Sequence, residues 1–229
     1  MISVLSWNIR QGGGSRTLGI LRKIVTLKPE VVILSEYRNN KHGGSIRNTL
    51  LDIGYRYQIV THAEADTNSV IILSKLPCSG TVYHLRKMDY DANLVKASFG
   101  FIDVIGVYLP HKKKHKLFDI LIEEAMTETP LIIAGDYNTG KNGIDQKGNS
   151  FWYTDDLRNL EKEGMIDAFR HIHGDAKEYS WYSHQGNGYR YDHTYISQEV
   201  LPIVKSCHYL HDWREEGLSD HSPMVVEIG

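Results

Sequence analysis

Two cysteines, a formal net charge of only −2 and no apolar run of membrane-spanning length are what this 229-residue chain does with. Each shortage excludes something. With 26 Lys and Arg against 28 Asp and Glu, a protein that grips a polyanion by bulk positive charge is excluded, so any such contact must come from local patches. Cys78 and Cys207 stand far apart in apolar surroundings, which predicts buried free thiols rather than a disulfide framework. That usage suits a reducing cytoplasm. Residues 1–7 carry no basic leader, and Asn8 and Arg10 interrupt the apolar run, so no signal peptide is expected. No stretch approaches a membrane span. Repeats, low-complexity tracts and linkers are missing too. His111 and His115, and His171 and His173, invite a zinc reading, but no HExxH or paired-cysteine motif supplies converging ligands.

What is present is ordinary globular material, 41% hydrophobic, near the upper size for one core, which predicts a single domain over residues 1–229. Patterning predicts strands at 2–7, 31–34, 57–61, 69–74, 80–84, 94–99, 102–108, 131–134, 180–183, 190–197, 203–210 and 224–228. Helices are predicted at 18–27, 47–53, 114–126, 155–163 and 165–171. So many consecutive strands exclude a purely parallel doubly wound sheet and favour sheet packed on sheet, with helices outside.

Several of these strands finish in polar residues. The apolar run 131–134 stops at Gly135-Asp136-Tyr137-Asn138, which sets Asp136 and Asn138 two residues apart on one face. An Asx-type turn is the bland explanation. Yet 2–7 ends in Asn8, 31–34 in Ser35-Glu36, Tyr191 leads into Asp192-His193, and Leu218-Ser219-Asp220-His221-Ser222-Pro223 leads into the last strand. A core has no packing reason to end strands this way five times.

The order Trp-Asn, Ser-Glu, Tyr-x-Pro, Gly-Asp-x-Asn, x-Asp-His and Ser-Asp-His, from Asn8 to His221, resembles the endonuclease/exonuclease/phosphatase superfamily. The resemblance implies a four-layer α/β sandwich, two packed mixed β-sheets with helices on the outside. It implies Glu36 as the principal metal carboxylate, supported by Asn8 and Asp220, for a hard cation such as Mg²⁺, with Mn²⁺ able to substitute. Such ions take oxygen ligands and keep several waters, so one or two carboxylates suffice. By the same resemblance Asp192 orients and charges His221, which faces the scissile phosphate. Asp136 is the general base or the positioner of the attacking water. Asn138 would hydrogen-bond phosphate or Asp136, and the Tyr108 hydroxyl a phosphate oxygen or the leaving group. His193 falls where the family usually has an aromatic and is left out.

Substrate class rests on the flanks of these motifs. Arg38 follows Glu36, and Lys112, Lys113 and Lys114 follow Tyr108, which suits a groove tracking a phosphate backbone. Trp181, Tyr189 and Arg190 resemble the Trp-containing segment of exonuclease III-like enzymes, with Trp181 and Tyr189 able to stack on bases. Core aromatics in a hairpin explain Trp181 equally well. The expectation is a Mg²⁺-dependent phosphodiester hydrolase acting on nucleic acid, an endonuclease or exonuclease with DNA favoured over RNA. The alternatives are a phosphomonoesterase or lipid or inositol-phosphate esterase, and a binding module that keeps the fold without catalysis.

Overall fold

The computed structural model describes residues 1–83 and 92–229, so His84, the end of one expected strand, lies outside the described residues. In chain order the elements begin β1 (Ile2–Asn8), α1 (Thr17–Leu27), β2 (Val31–Tyr37), α2 (Lys41–Asp52), β3 (Tyr57–Val60) and β4 (Ser69–Ser74). Next come β5 (Ser79–Val82), β6 (Leu94–Ser98), β7 (Asp103–Tyr108), α3 (His115–Ala125), β8 (Leu131–Asp136) and α4 (Thr154–Lys162). The chain closes with β9 (Ile166–Asp167), α5 (Ala168–His173), β10 (Trp181–Tyr182), β11 (Gly188–Tyr189), β12 (Asp192–Ile196), β13 (Val204–Tyr209), α6 (His211–Glu215) and β14 (Met224–Ile228).

Two six-stranded sheets form, in the orders β13-β14-β1-β2-β4-β3 and β5-β6-β7-β8-β12-β9, with β10 and β11 as a separate hairpin. Both mix parallel and antiparallel pairs: β1 with β2 and β7 with β8 run parallel. Residues alternate between layers, as side chains must along a strand. Val4, Ile33, Ile72, Val104 and Ile132 point into a core between the sheets. Their neighbours Leu5, Leu34 and Ile71 pack outward with Ile20, Ile24 and Ile46 of α1 and α2. Ile105 and Ile133 pack outward with Leu117, Leu121 and Leu157 of α3 and α4. The result is the expected four-layer sandwich. Gly106 lets the sheets close, because a Cβ there would stand 2.9 Å from the Ile33 Cγ2.

Local differences from the sequence expectation have physical causes. Helix α2 starts at Lys41 rather than at residue 47, because the Asn40 side chain caps the backbone N–H groups of His42 and Gly43 and offsets two poor helix formers, Gly43 and Gly44. The single helix expected at 165–171 is a short strand, β9, followed by α5, since Asp167 leaves the ladder with β12 to cap α5 through the Arg170 N–H. Cys207 is buried, but Cys78 is only half-buried; both are free thiols. Among the described residues no helix is long and apolar enough to cross a membrane.

Candidate active site

The polar strand ends meet at one edge of the sandwich. In one sheet Asn8 ends β1, Glu36 sits one residue before the end of β2, and His221 precedes β14, which runs antiparallel to β1. In the other, Tyr108 ends β7, Asp136 ends β8 and Asp192 opens β12, and pairing places Asp136 beside both Tyr108 and Asp192. The backbone is held in unusual shapes here. Arg10, Gln11, Glu36 and Asn138 all have φ between 48° and 53°, four of the six non-glycine residues with positive φ among those described. Such conformations cost free energy and cluster at functional sites. Glu36 stands at a register shift between β2 and β4, which swings its side chain out of the regular alternation. At Gly135, with φ at 151°, a Cβ would fall on the Val107 carbonyl oxygen, so only glycine admits the approach of β7 that sets Asp136.

Hydrogen bonds join the two sheets across this edge. His221 Nδ1 lies 2.8 Å from Asp192 Oδ2. The Asn8 amide nitrogen donates to Asp136 Oδ2 at 2.8 Å and to Glu36 Oε1 at 3.2 Å. Asn138 fixes Asp136 by its backbone N–H to Oδ1 and its side-chain amide to Oδ2. Glu36 Oε2 accepts the Gln11 N–H at 2.7 Å. Arg38 donates to Asn68 at 2.6 Å, and Asn68 to the Tyr108 hydroxyl oxygen at 3.4 Å, which leaves the phenolic proton available to a ligand. The Ser219 hydroxyl donates to the Asn8 carbonyl at 2.6 Å and accepts the His221 N–H at 3.2 Å, riveting β1 to the loop that carries the histidine.

Burial sets the electrostatics. Asp136, Asp192 and His221 are all buried, with candidate ligand atoms within 4.8 Å of one another. Burial pushes the Asp136 carboxyl up, to about 7, against the opposing pull of the His221 charge. For His221 burial alone would lower the pKa, but the charges of Asp192 and Asp136 and the bond to Asp192 raise it to about 10. Its ring is therefore an imidazolium at neutral pH. Burial, then the charge of Glu36, pushes the Tyr108 phenol up, so it stays protonated.

A sequence profile described as the Endonuclease/Exonuclease/phosphatase family matches residues 5–221. The chain belongs to that family. A Streptococcus pneumoniae protein named exodeoxyribonuclease is 27% identical over 169 residues, covering 62% of this chain and 60% of that protein. Recombination repair protein 1 of Drosophila melanogaster is 25% identical over 187 residues, covering 69% of this chain and 27% of that protein. The chain thus spans less than two thirds of these relatives. Among solved structures, a 3′ phosphatase from Neisseria bound to a product DNA hairpin superposes with a TM-score of 0.86 at 19% identity, each chain covered in full. An AP endonuclease from Archaeoglobus fulgidus also gives 0.86 at 18% identity, covering 100% of this chain and 99% of its own. These two likenesses concern the fold.

Family members of this kind take a metal, and the donor set here fits a hard cation at Glu36. Its carboxylate is half-buried, and among the described residues each oxygen accepts one hydrogen bond, which leaves lone pairs for an ion. Asp136, Asp192 and His221 also bring candidate ligand atoms together, with His221 Nδ1 engaged by Asp192 at 2.8 Å. Asn8 lies between the two acids, Glu36 and Asp136. Its Oδ1 accepts the Arg10 N–H at 2.9 Å, which fixes the amide so that its nitrogen, not its oxygen, faces both acids. Asp220 accepts from the Trp181 indole at 3.3 Å and stands 3.8 Å from Arg10 Nε, at the outer side of the site.

Two expected substrate contacts are corrected. Arg190 is fully buried, paired with Asp145 and Asp167 rather than offered to a ligand. Lys114 is fully buried as well, donating to the carbonyls of Tyr137 at 2.7 Å and Asn138 at 2.8 Å, where it props the loop after β8. Lys112 and Lys113 remain exposed on the rim, and Arg38 is half-buried beside Tyr108. Trp181 and Tyr189 sit in one aromatic cluster, with ring centroids 5.9 Å apart. Sequence reading missed Asn68 and Ser219 as site residues. Ser219 had a signal in the Ser-Asp-His motif, whereas nothing marks Asn68 until Arg38 and Tyr108 converge on it.

Proposed function

We propose that this chain is a divalent-metal-dependent phosphodiester hydrolase acting on nucleic acid, DNA in preference to RNA, with residues 1–229 forming one catalytic unit. The observation that carries the reading is the pairing of His221 with Asp192 at 2.8 Å, buried within reach of Asp136. That arrangement suits an anionic phosphate undergoing attack. In this reading the Nε2 edge of His221 faces the phosphate and stabilises the charge that builds on it. Asp136, raised toward neutrality by burial, accepts the proton of the attacking water while Asn138 and Asn8 hold its carboxylate still. Tyr108, kept protonated, donates to a phosphate oxygen or to the leaving group. Glu36 would hold the metal, Mg²⁺ or Mn²⁺, which supplies charge neutralisation at the phosphate. Arg38, Lys112 and Lys113 line the approach of a polyanion.

The test is a cleavage screen with Mg²⁺ and with Mn²⁺ over plasmid, single-stranded DNA, abasic duplex, RNA and inositol phosphates, run for the wild type and His221→Ala. Metal-dependent cleavage of the nucleic acids, lost by roughly 10²-fold or more in the variant, is expected. Turnover of inositol phosphates alone would overturn the assignment.

A further inference from the structure

The backbones that carry Asp192 and His221 are held together beyond the hydrogen bond between the two side chains. The Tyr209 hydroxyl, at the end of β13, donates across the seam to the Asp192 carbonyl at 2.6 Å. Two residues on, His211 Nδ1 lies 2.8 Å from the Oγ of Ser222, the residue after His221. The Tyr209 and His211 rings stack, centroids 5.4 Å apart and planes 21° from parallel, so one pair of rings braces both members of the dyad. Ser180 joins the same two backbones, its carbonyl accepting the Ser222 N–H at 2.8 Å and its hydroxyl the Asp192 N–H at 3.2 Å. His211 is aimed in its turn. Its Nε2 lies 3.1 Å from Glu178 Oε2, and a carboxylate only accepts, so Nε2 carries a proton. In the neutral ring Nδ1 is then the acceptor, and the Ser222 hydroxyl donates to it.

Glu178, His211 and Ser222 stand in the order of a hydrolytic triad, but Ser222 is 0% exposed and can attack no substrate. Stability is no better an account. A buried neutral hydrogen bond adds about 1 kcal/mol net, and apolar groups of the same shape in place of both partners can be nearly neutral. A fully satisfied polar network adds one defined arrangement instead. What is defined here is the placement of Asp192 against His221. We propose that His211, oriented by Glu178, is a positioning residue for that pair: through Ser222 and the stacked Tyr209 it fixes the reach of the His221 ring, and with it the rate of hydrolysis, without touching substrate. The proposal rests on the hydrolase reading given above.

The experiment uses the full chain and the nucleic acid cleaved fastest in the screen above. His211→Phe keeps a ring against Tyr209 but offers Ser222 no acceptor, whereas His211→Asn keeps an acceptor where Nδ1 stands. With Mg²⁺, kcat should fall by about ten-fold in His211→Phe with KM held within about two-fold, and His211→Asn should recover most of the loss. Ser222→Ala should lose about as much as His211→Phe, and the double variant no more than either, because both cut one link. In parallel, the proton NMR resonance of the bond between His221 Nδ1 and Asp192 is read without metal or substrate. It should shift or broaden in His211→Phe and stay in place in His211→Asn. A changed KM with kcat kept, a loss that Asn does not recover, additive losses in the double variant, or an unmoved resonance overturns the proposal while leaving the hydrolase reading intact. A resonance that moves as expected in a protein that cleaves no strand would sink the hydrolase reading and keep the brace.

Discussion

Replacing Arg190 by methionine separates a structural clamp from a substrate contact. Its guanidinium donates through Nε to Asp145 Oδ1 at 2.7 Å and through Nη2 to Asp145 Oδ2 at 3.1 Å, and it reaches both oxygens of Asp167. Asp145 keeps a second partner in Arg170, but among the described residues Asp167 keeps only the Arg170 N–H and a His193 nitrogen 3.7 Å away. Removing one member of a buried ion pair costs about 3–5 kcal/mol, because the remaining charge loses its compensation. For a chain of this size, at about 2–4 °C per kcal/mol, the melting temperature should fall by roughly 6–20 °C at pH 7. The pH dependence has a definite sign. Burial alone would raise both carboxyls, yet the Arg190 charge holds Asp145 and Asp167 below the usual carboxylate range. Their contribution is therefore present above the ordinary aspartate pKa of about 3.9 and is lost as pH falls through the lowered native values. Without Arg190 the same acids titrate higher and can shed their charge by protonation. The destabilisation should then be largest at pH 7 and shrink toward pH 5, as read by thermal and urea unfolding at both values. A melting temperature within 2 °C of wild type, together with weaker binding of oligonucleotide, would refute the clamp.

Three further outcomes follow from the geometry. In Asp192→Asn, His221 loses the charge that raises its pKa, so the alkaline limb of the kcat/KM profile should move to lower pH; an unmoved limb would break the link between the two residues. Glu36→Ala should shift the Mg²⁺ midpoint of hydrolysis to higher concentration by about ten-fold or more, and an unaltered titration would free Glu36 of metal binding. Gly106→Ala should overpack the space between the sheets and cost about 1–3 kcal/mol, measured from the urea midpoint; a neutral result would mean that Ile33 can yield.

Much of the site was legible in sequence because its members stand at strand ends, where an acid or amide after an apolar run has little structural excuse. Asn8, Glu36, Asp136, Asp192 and His221 all carry that signature. The alternation that builds the sandwich was equally plain in the strands at 69–74 and 224–228, both found at those bounds. Arg190 and Lys114 were misread for a different reason. A lone basic residue in sequence looks solvated, and the partners that bury Arg190 lie 45 and 23 residues away. Lys114 is satisfied by backbone carbonyls, which no side-chain pattern announces. The start of α2 escaped notice because its cap, Asn40, stands before two glycines.

The pair Asp192 and His221 belongs to two different sheets, as does the bridge from Asn8 to Asp136. Neither layer holds a working centre by itself. A relative slide of even an ångström between the two walls would part contacts of 2.8 Å, and misplacement on that scale is enough to slow chemistry by about 10²-fold. On the proposed hydrolase reading, catalytic rate should consequently act as a gauge of how firmly the two halves are seated, and lesions deep in the greasy seam should surface first as lost turnover, before any loss of folded protein.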